Sequence, residues 1–203
     1  IFFLSIAFFT TSYEWLRMSK NIYLNTAGLI FFFFSFHLAY LLRTEQGYKI
    51  FLFVILISIL TDIGGYIFGK VFKGPKLSKI SPKKTYSGVI GGFVLSIVGS
   101  LIFIKYMKGL EMLLEFLNFR TINIQDINSS SLDFDLFILL FILISSLISQ
   151  LGDLIISYFK RIAEIKDTGK ILPGHGGLLD RIDGIIFNVP FVYIILKFVG
   201  YLF

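Results

Sequence analysis

Residues 50–68 read IFLFVILISILTDIGGYIF, nineteen consecutive positions with a single charge, Asp62. About 20 apolar residues carry a helix across the hydrocarbon of a bilayer, so this stretch is expected to span a membrane. Comparable runs cover residues 22–42, 88–107, 136–159 and 184–203, giving five expected spans. The opening run, residues 1–10, is too short to cross alone and reads as the tail of a helix that begins upstream in a longer chain, with a short loop over residues 12–21 after it. Of the 203 residues 56% are hydrophobic and 16% charged, with 25 Phe, and the mean hydropathy is +0.82. That composition excludes a water-soluble globule, and the absence of Cys excludes a disulfide scaffold. The expected fold class is all-α: an N-terminally truncated polytopic transmembrane helical bundle forming one membrane-embedded domain over residues 1–203.

The charge on the connections sets the orientation. Residues 70–87 carry Lys70, Lys73, Lys76, Lys79, Lys83 and Lys84 with no acid, and residues 160–183 add Lys160, Arg161, Lys166, Lys170 and Arg181. Basic loops stay in the cytoplasm. Two spans separate these loops, which returns the chain to the same side. The intervening residues 108–135 carry Lys108 and Arg120 against five acids and read as an exterior loop.

Most of the aromatic excess is bulk. Phe31 to Phe34 occupy adjacent positions that point all round a helix, as lipid contact and packing require, and His37 reads as a neutral, hydrogen-bonded side chain. Chemistry is expected where an ionisable group lies at membrane depth, because it costs several kcal/mol there without a partner or a polar cavity. Asp62 precedes Gly64 and Gly65, which allow close approach of another helix or a ligand; site wall and packing element are both open readings for it. Asp153, Ser157 and Lys160 or Arg161 recur at offsets of 4 and 7 or 8, placing carboxylate, hydroxyl and cation on one helical face. A structural ion pair is the alternative there.

Residues 157–183, SYFKRIAEIKDTGKILPGHGGLLDRID, concentrate the signal. Gly174, Gly176 and Gly177 around His175 can turn backbone N–H groups toward an anion. Asp180 and Asp183 are three apart, so on one helical turn both carboxylates face the same way while Arg181 points elsewhere. Mg²⁺ is commonly held by one or two carboxylates completed by substrate phosphate and water, which Asp153 with Asp180 or Asp183 could supply. A solvated loop is the competing reading of these residues taken alone.

Ser157-x-x-Lys160-Arg161-x4-Lys166-Asp167-x-Gly169-x2-Leu172-Pro173-Gly174-His175-Gly176-Gly177-x2-Asp180-Arg181-x-Asp183 resembles the signature of the phosphatidate cytidylyltransferases, or CDP-diacylglycerol synthases. Residues 79–85 and 61–69 resemble further blocks of that family in the same order. The chain departs from it in having Ile63 within the Thr61-Asp62-Ile63-Gly64 stretch, and Ser87 and Ile156 where an acid is usual.

The resemblance implies transfer of the cytidylyl group from CTP to phosphatidate with Mg²⁺, and room for a second cation, at the cytoplasmic face of a bacterial-type inner membrane. It also implies roles. Metal binding falls to Asp153 and Asp180, with Asp183 and Ser157 as further ligands or supports, and Asp153, Asp180, Asp183, Lys160 and Arg161 form the catalytic set. Substrate phosphates fall to Lys83, Lys84, Lys166, Asp167, His175, Gly176, Gly177 and Arg181, His175 serving either as a phosphate contact or only to stiffen its turn. The expected partners are CTP, phosphatidate and the bilayer, with no nucleic acid and a homodimer left open. Two other classes remain: a CTP-dependent polyprenol or lipid kinase, and an ion-coupled transporter with Asp62 and Asp153 lining its path.

The orientation is testable because native Cys is absent. Single Cys residues at positions 76 and 170 should escape an impermeant thiol reagent on intact cells while one at position 128 reacts; labelling of 76 or 170 would reverse the orientation.

Overall fold

The computed structural model describes residues 2–18, 21–77, 81, 84–106, 131–171, 174 and 176–202. Seven helices lie among them: α1 (Phe2–Met18), α2 (Ile22–Glu45), α3 (Tyr48–Phe72), α4 (Tyr86–Tyr106), α5 (Ser131–Ile162), the single turn α6 (Leu179–Ile182) and α7 (Ile185–Leu202). The chain is a polytopic membrane helical bundle. Helices α2, α3, α4 and α5 are long and apolar enough to cross a membrane, and the fifth expected span falls on a shorter apolar helix, Ile185–Phe198, within α7. The exterior loop expected over residues 108–135 lies mostly outside the described residues, with α5 beginning at Ser131.

The loop expected over residues 12–21 is largely helix, a correction with a clear cause. α1 continues to Met18 because Trp15 and Met18 enter a core cluster with Phe32, Ile156, Leu179 and Ile186. Ser12 and Glu14 of that stretch are buried, and Thr11 just before them donates its hydroxyl proton back to Ala7 O at 2.8 Å. Asn21 then caps α2, its Oδ1 accepting from Tyr23 N at 2.9 Å, a side-chain acceptor satisfying a donor that a helix start leaves unpaired.

Within the bundle, α3 and α4 run in backbone contact. A Cβ on Gly64 would come within 2.3 Å of Gly91 O, and one on Gly91 within 2.2 Å of Phe68. Small residues that let helices approach are the usual interface in lipid, where apolar side chains gain little by leaving the solvent. Polar side chains tie the third partner in. Asn188 of α7 donates to Ser58 Oγ of α3 at 2.9 Å and accepts from Ser145 Oγ of α5 at 2.7 Å. Thr61 donates to Ser146 Oγ at 2.8 Å. At one end of the bundle Glu45 joins α2 to α7 through Lys197 at 2.7 Å and Tyr193 at 3.1 Å. The opposite end gathers the last turns of α1, α3 and α5 and the first of α2, α4 and α7, and the remaining chemistry lies there.

The packing predicts a contrast between adjacent glycines. Gly64→Ala should destabilise the protein by about 1–3 kcal/mol, the usual cost of overpacking, whereas Gly65→Ala, whose new Cβ would meet nothing closer than Gly88 O at 3.7 Å, should change the unfolding midpoint in detergent far less. Equal effects would contradict the close α3–α4 approach.

Candidate active site

Asp153 lies on α5 nine residues before its last residue, and Ser157, one turn on, donates to Asp153 Oδ1 at 3.3 Å. Its other oxygen forms an ion pair with Lys84. Lys84 is held for this by the connection before α4, where Leu77 N donates to Lys84 O at 2.8 Å and Tyr86 N to Pro75 O at 3.2 Å. The helical offset read from the sequence therefore does place the carboxylate and hydroxyl together.

Lys160, the cation on that face, turns to a different acid. Its ammonium meets Asp180 Oδ1 at 2.8 Å. Asp180 Oδ2 accepts from Thr168 N at 2.8 Å, Gly177 N at 3.0 Å and Thr168 Oγ1 at 3.1 Å. Burial pushes the Asp180 carboxyl up, but the Lys160 ammonium and the Gly177 and Thr168 amides outweigh it and hold it below the ordinary carboxylate value. The glycine-rich turn presents one N–H, that of Gly177, to an anion, and that anion is the protein's own Asp180.

Asp183 behaves in the opposite way. Only 6% exposed, it accepts from Gly184 N at 2.9 Å and lies within hydrogen-bonding reach of Asp153. Burial first, and then the Asp153 charge, raise its carboxyl well above 3.8. The backbone stays helical through Asp183, at φ −55° and ψ −40°, and the two carboxylates take different direct partners, Lys160 for Asp180 and Gly184 N for Asp183. Asp62, on α3, completes the acidic group, near enough for its charge to act on both Asp153 and Asp183.

Arg161, Lys166, Asp167 and Arg181 stand exposed around this end. Arg161 reaches Ile165 O at 3.4 Å, and Asp167 lies against Gly176, where an added Cβ would come 3.5 Å from Asp167 Cβ. Gly174 and Gly176 adopt φ of +72° and +86°, backbone that L side chains rarely take. Lys83 and His175 lie outside the described residues.

Sequence reasoning missed Glu14. It is 1% exposed and accepts from Leu178 N at 2.9 Å, Leu179 N at 2.8 Å and Thr168 Oγ1 at 3.1 Å. The available signal was an acid within an apolar helix; assigning residues 12–21 to a loop hid it.

Among the described residues no three His, Cys, Asp or Glu side chains form a group able to hold a metal by themselves. Two adjacent carboxyls with a hydroxyl beside them nevertheless suit a hard divalent cation that takes its remaining ligands from phosphate and water. Asp153, Asp183 and Ser157 have that donor chemistry. Both Asp180 oxygens are already engaged by donors.

The arrangement is that of a membrane protein built to handle anions at one end of its bundle, with carboxylates set among lysines and a glycine turn. Comparison narrows the class. Residues 1–199 match the model of the cytidylyltransferase family. A phosphatidate cytidylyltransferase of Staphylococcus saprophyticus is 34% identical over 199 residues, covering 95% of this chain and 67% of that protein. One from Staphylococcus aureus strain COL is 36% identical over 204 residues with the same coverages. The chain belongs to the cytidylyltransferase family.

The two acids of the turn should respond oppositely to removal. Asp180 contributes stability present above pH 3.8 and lost as pH falls through its lowered value, so Asp180→Asn, which strands Lys160, should cost about 3 kcal/mol at pH 7, the scale for breaking a buried pair. Asp183 does the reverse: its penalty is absent below pH 3.8 and grows as pH rises toward its raised value. Asp183→Asn should therefore raise the melting temperature at pH 7 without divalent cations, by ~2–4 °C for each kcal/mol relieved. Thermal unfolding from pH 4 to 8 checks both, and destabilisation by Asp183→Asn at pH 7 would refute the repulsion between Asp183 and Asp153.

Proposed function

We propose that this chain carries the catalytic machinery of a phosphatidate cytidylyltransferase, joining the cytidylyl group of CTP to phosphatidate and releasing diphosphate. The observation that carries the reading is the adjacent Asp153 and Asp183 carboxyls, with Lys84 and Lys160 at their edges. A buried like-charge pair is costly unless a proton or cation offsets it. The family match and the names of the relatives point to the same reaction.

In this reading Asp153 and Asp183, assisted by Ser157, hold Mg²⁺, while Asp180 organises the turn and fixes Lys160. A cation held by these residues would supply charge neutralisation for the polyphosphate. A phosphate oxygen of phosphatidate forms the new bond to the α-phosphorus of CTP as the bond from that phosphorus to the diphosphate oxygen breaks. The electron pair leaves with diphosphate. Since the nucleophile is already anionic, the protein needs no strong base, and its work is positioning and charge neutralisation. Lys84, which pairs with Asp153, lies where its ammonium could turn to the polyphosphate of bound CTP. Lys160, Arg161, Lys166 and Arg181 add positive charge at the same end. Phosphatidate enters from the bilayer and CTP from the cytoplasm, so the basic connections lie on the cytoplasmic side of a bacterial-type membrane.

Purified full-length protein given labelled CTP, phosphatidate and Mg²⁺ should form a CDP-lipid and diphosphate in equal amounts. Asp153→Asn and Asp183→Asn should each lower kcat by about 10²–10³, the range for losing a contact to transition-state charge. Formation of CDP with a newly phosphorylated lipid would replace this reading with the kinase, and near-normal turnover of either variant would remove the metal assignment.

A further inference from the structure

The catalytic turn is fastened from outside its own segment, by α1. Glu14 receives Leu178 N, Leu179 N and the Thr168 hydroxyl, so it holds both the start of α6 and the strand of chain leading to the glycine turn. Thr168 Oγ1 lies 3.1 Å from Glu14 Oε2 and 3.1 Å from Asp180 Oδ2, which links the two carboxylates through one hydroxyl. Two signature glycines are shaped by this acid. A Cβ on Gly169 would meet Glu14 Oε1 at 2.7 Å, Cδ at 3.1 Å and Cγ at 3.2 Å. One on Gly177 would meet Thr168 Oγ1 at 2.2 Å and Glu14 Oε2 at 2.6 Å. Glu14 cannot swing aside cheaply, since moving it leaves the Leu178 and Leu179 amides unpaired and only the Thr168 hydroxyl with another acceptor, Asp180.

We propose that Glu14 is a positioning residue for the reaction: from α1 it fixes the turn that presents Asp180 to Lys160 and Asp183 to Asp153. The carboxylate is suited to the task because it is acceptor-only and can serve all three donors; an amide of the same shape turns an NH₂ toward at least one N–H. Misplacement of a cation-holding carboxylate by about an ångström is enough to lose on the order of 10² in rate. The proposal rests on the functional reading above for its kinetic arm alone.

The test combines amide exchange, a double-variant cycle and kinetics on the full-length protein in lipid. Glu14→Gln should speed hydrogen exchange at Leu178 and Leu179 about tenfold or more while leaving α3 and α4 unchanged. Gly169→Ala should do the same in the wild-type background and add little on top of Glu14→Ala, because the atoms it strikes are then gone. In activity, Glu14→Gln should lower kcat about 10–100-fold and raise the Mg²⁺ concentration for half-maximal rate. Leu42→Ala, which opens a cavity in the core cluster at the opposite end of the bundle, should lower thermal stability without moving that Mg²⁺ requirement. If Glu14 variants do not fold, Gly169→Ala alone must still give the local exchange and Mg²⁺ signature. Unchanged exchange at Leu178 and Leu179, equal cost of Gly169→Ala with and without Glu14, or a Mg²⁺ dependence matching that of Leu42→Ala would each overturn the proposal. If the wild type forms no CDP-lipid, the functional reading fails, and the exchange and double-variant results decide the role of Glu14 by themselves.

Discussion

A carboxylate withdrawn from water must be met by donors or by positive charge, and one end of this bundle wholly or partly withdraws four, Glu14, Asp153, Asp180 and Asp183, with the exposed Asp62 beside them. They are met in two different ways. Glu14 and Asp180 are saturated, by backbone amides, a shared threonine hydroxyl and the Lys160 ammonium. Asp153, Asp183 and Asp62 are left facing one another, with Lys84 covering only part of the charge. The saturated pair builds a rigid turn; the unsaturated group gives that turn something to do. A protein that gained only stability from its acids would not leave the second set unresolved, and perturbed acids gathered in one place are a common mark of function.

The membrane part of the fold serves this division. α3 and α4 pack through glycine, which holds Asp62 and the connection bearing Lys84 at a fixed distance from α5. The hydrogen bonds among Ser58, Ser145 and Asn188 pin α7 to α3 and α5, and Asp183 lies two residues before α7 begins. A shift of either helix would be felt at the acid pair. Conformational precision near the surface is thus carried by contacts made deep among the helices.

Much of this was legible in the sequence, and the rest was hidden for definable reasons. The apolar runs gave the helices, and the four-residue spacing gave the Asp153–Ser157 contact, because helical periodicity is local. The glycine turn was readable as an anion holder, but the identity of the anion was not, since Asp180 closes back on its own segment through Lys160, twenty residues earlier. The division of labour between Asp180 and Asp183 depends on which groups each meets across the fold, Lys160 for one and Asp153 for the other, which spacing within one turn cannot fix. Glu14 lay 164 positions from its partner Leu178, and no spacing rule connects them. Gly64 marked where another helix could come close, while its partner Gly91 and the pairing of Asn188 with two serines required the folded bundle.

The central claim is that Asp153 and Asp183 form the cation site and Asp180 is a structural clamp. Electron paramagnetic resonance of Mn²⁺, a hard cation that accepts the same oxygen ligands as Mg²⁺, tests it in full-length protein with CTP present. Binding should weaken by tenfold or more in Asp153→Asn and in Asp183→Asn, and by less than in either in folded Asp180→Asn protein, which loosens the turn but removes no ligand. Loss of the Mn²⁺ signal in Asp180→Asn together with its retention in Asp183→Asn would contradict the account.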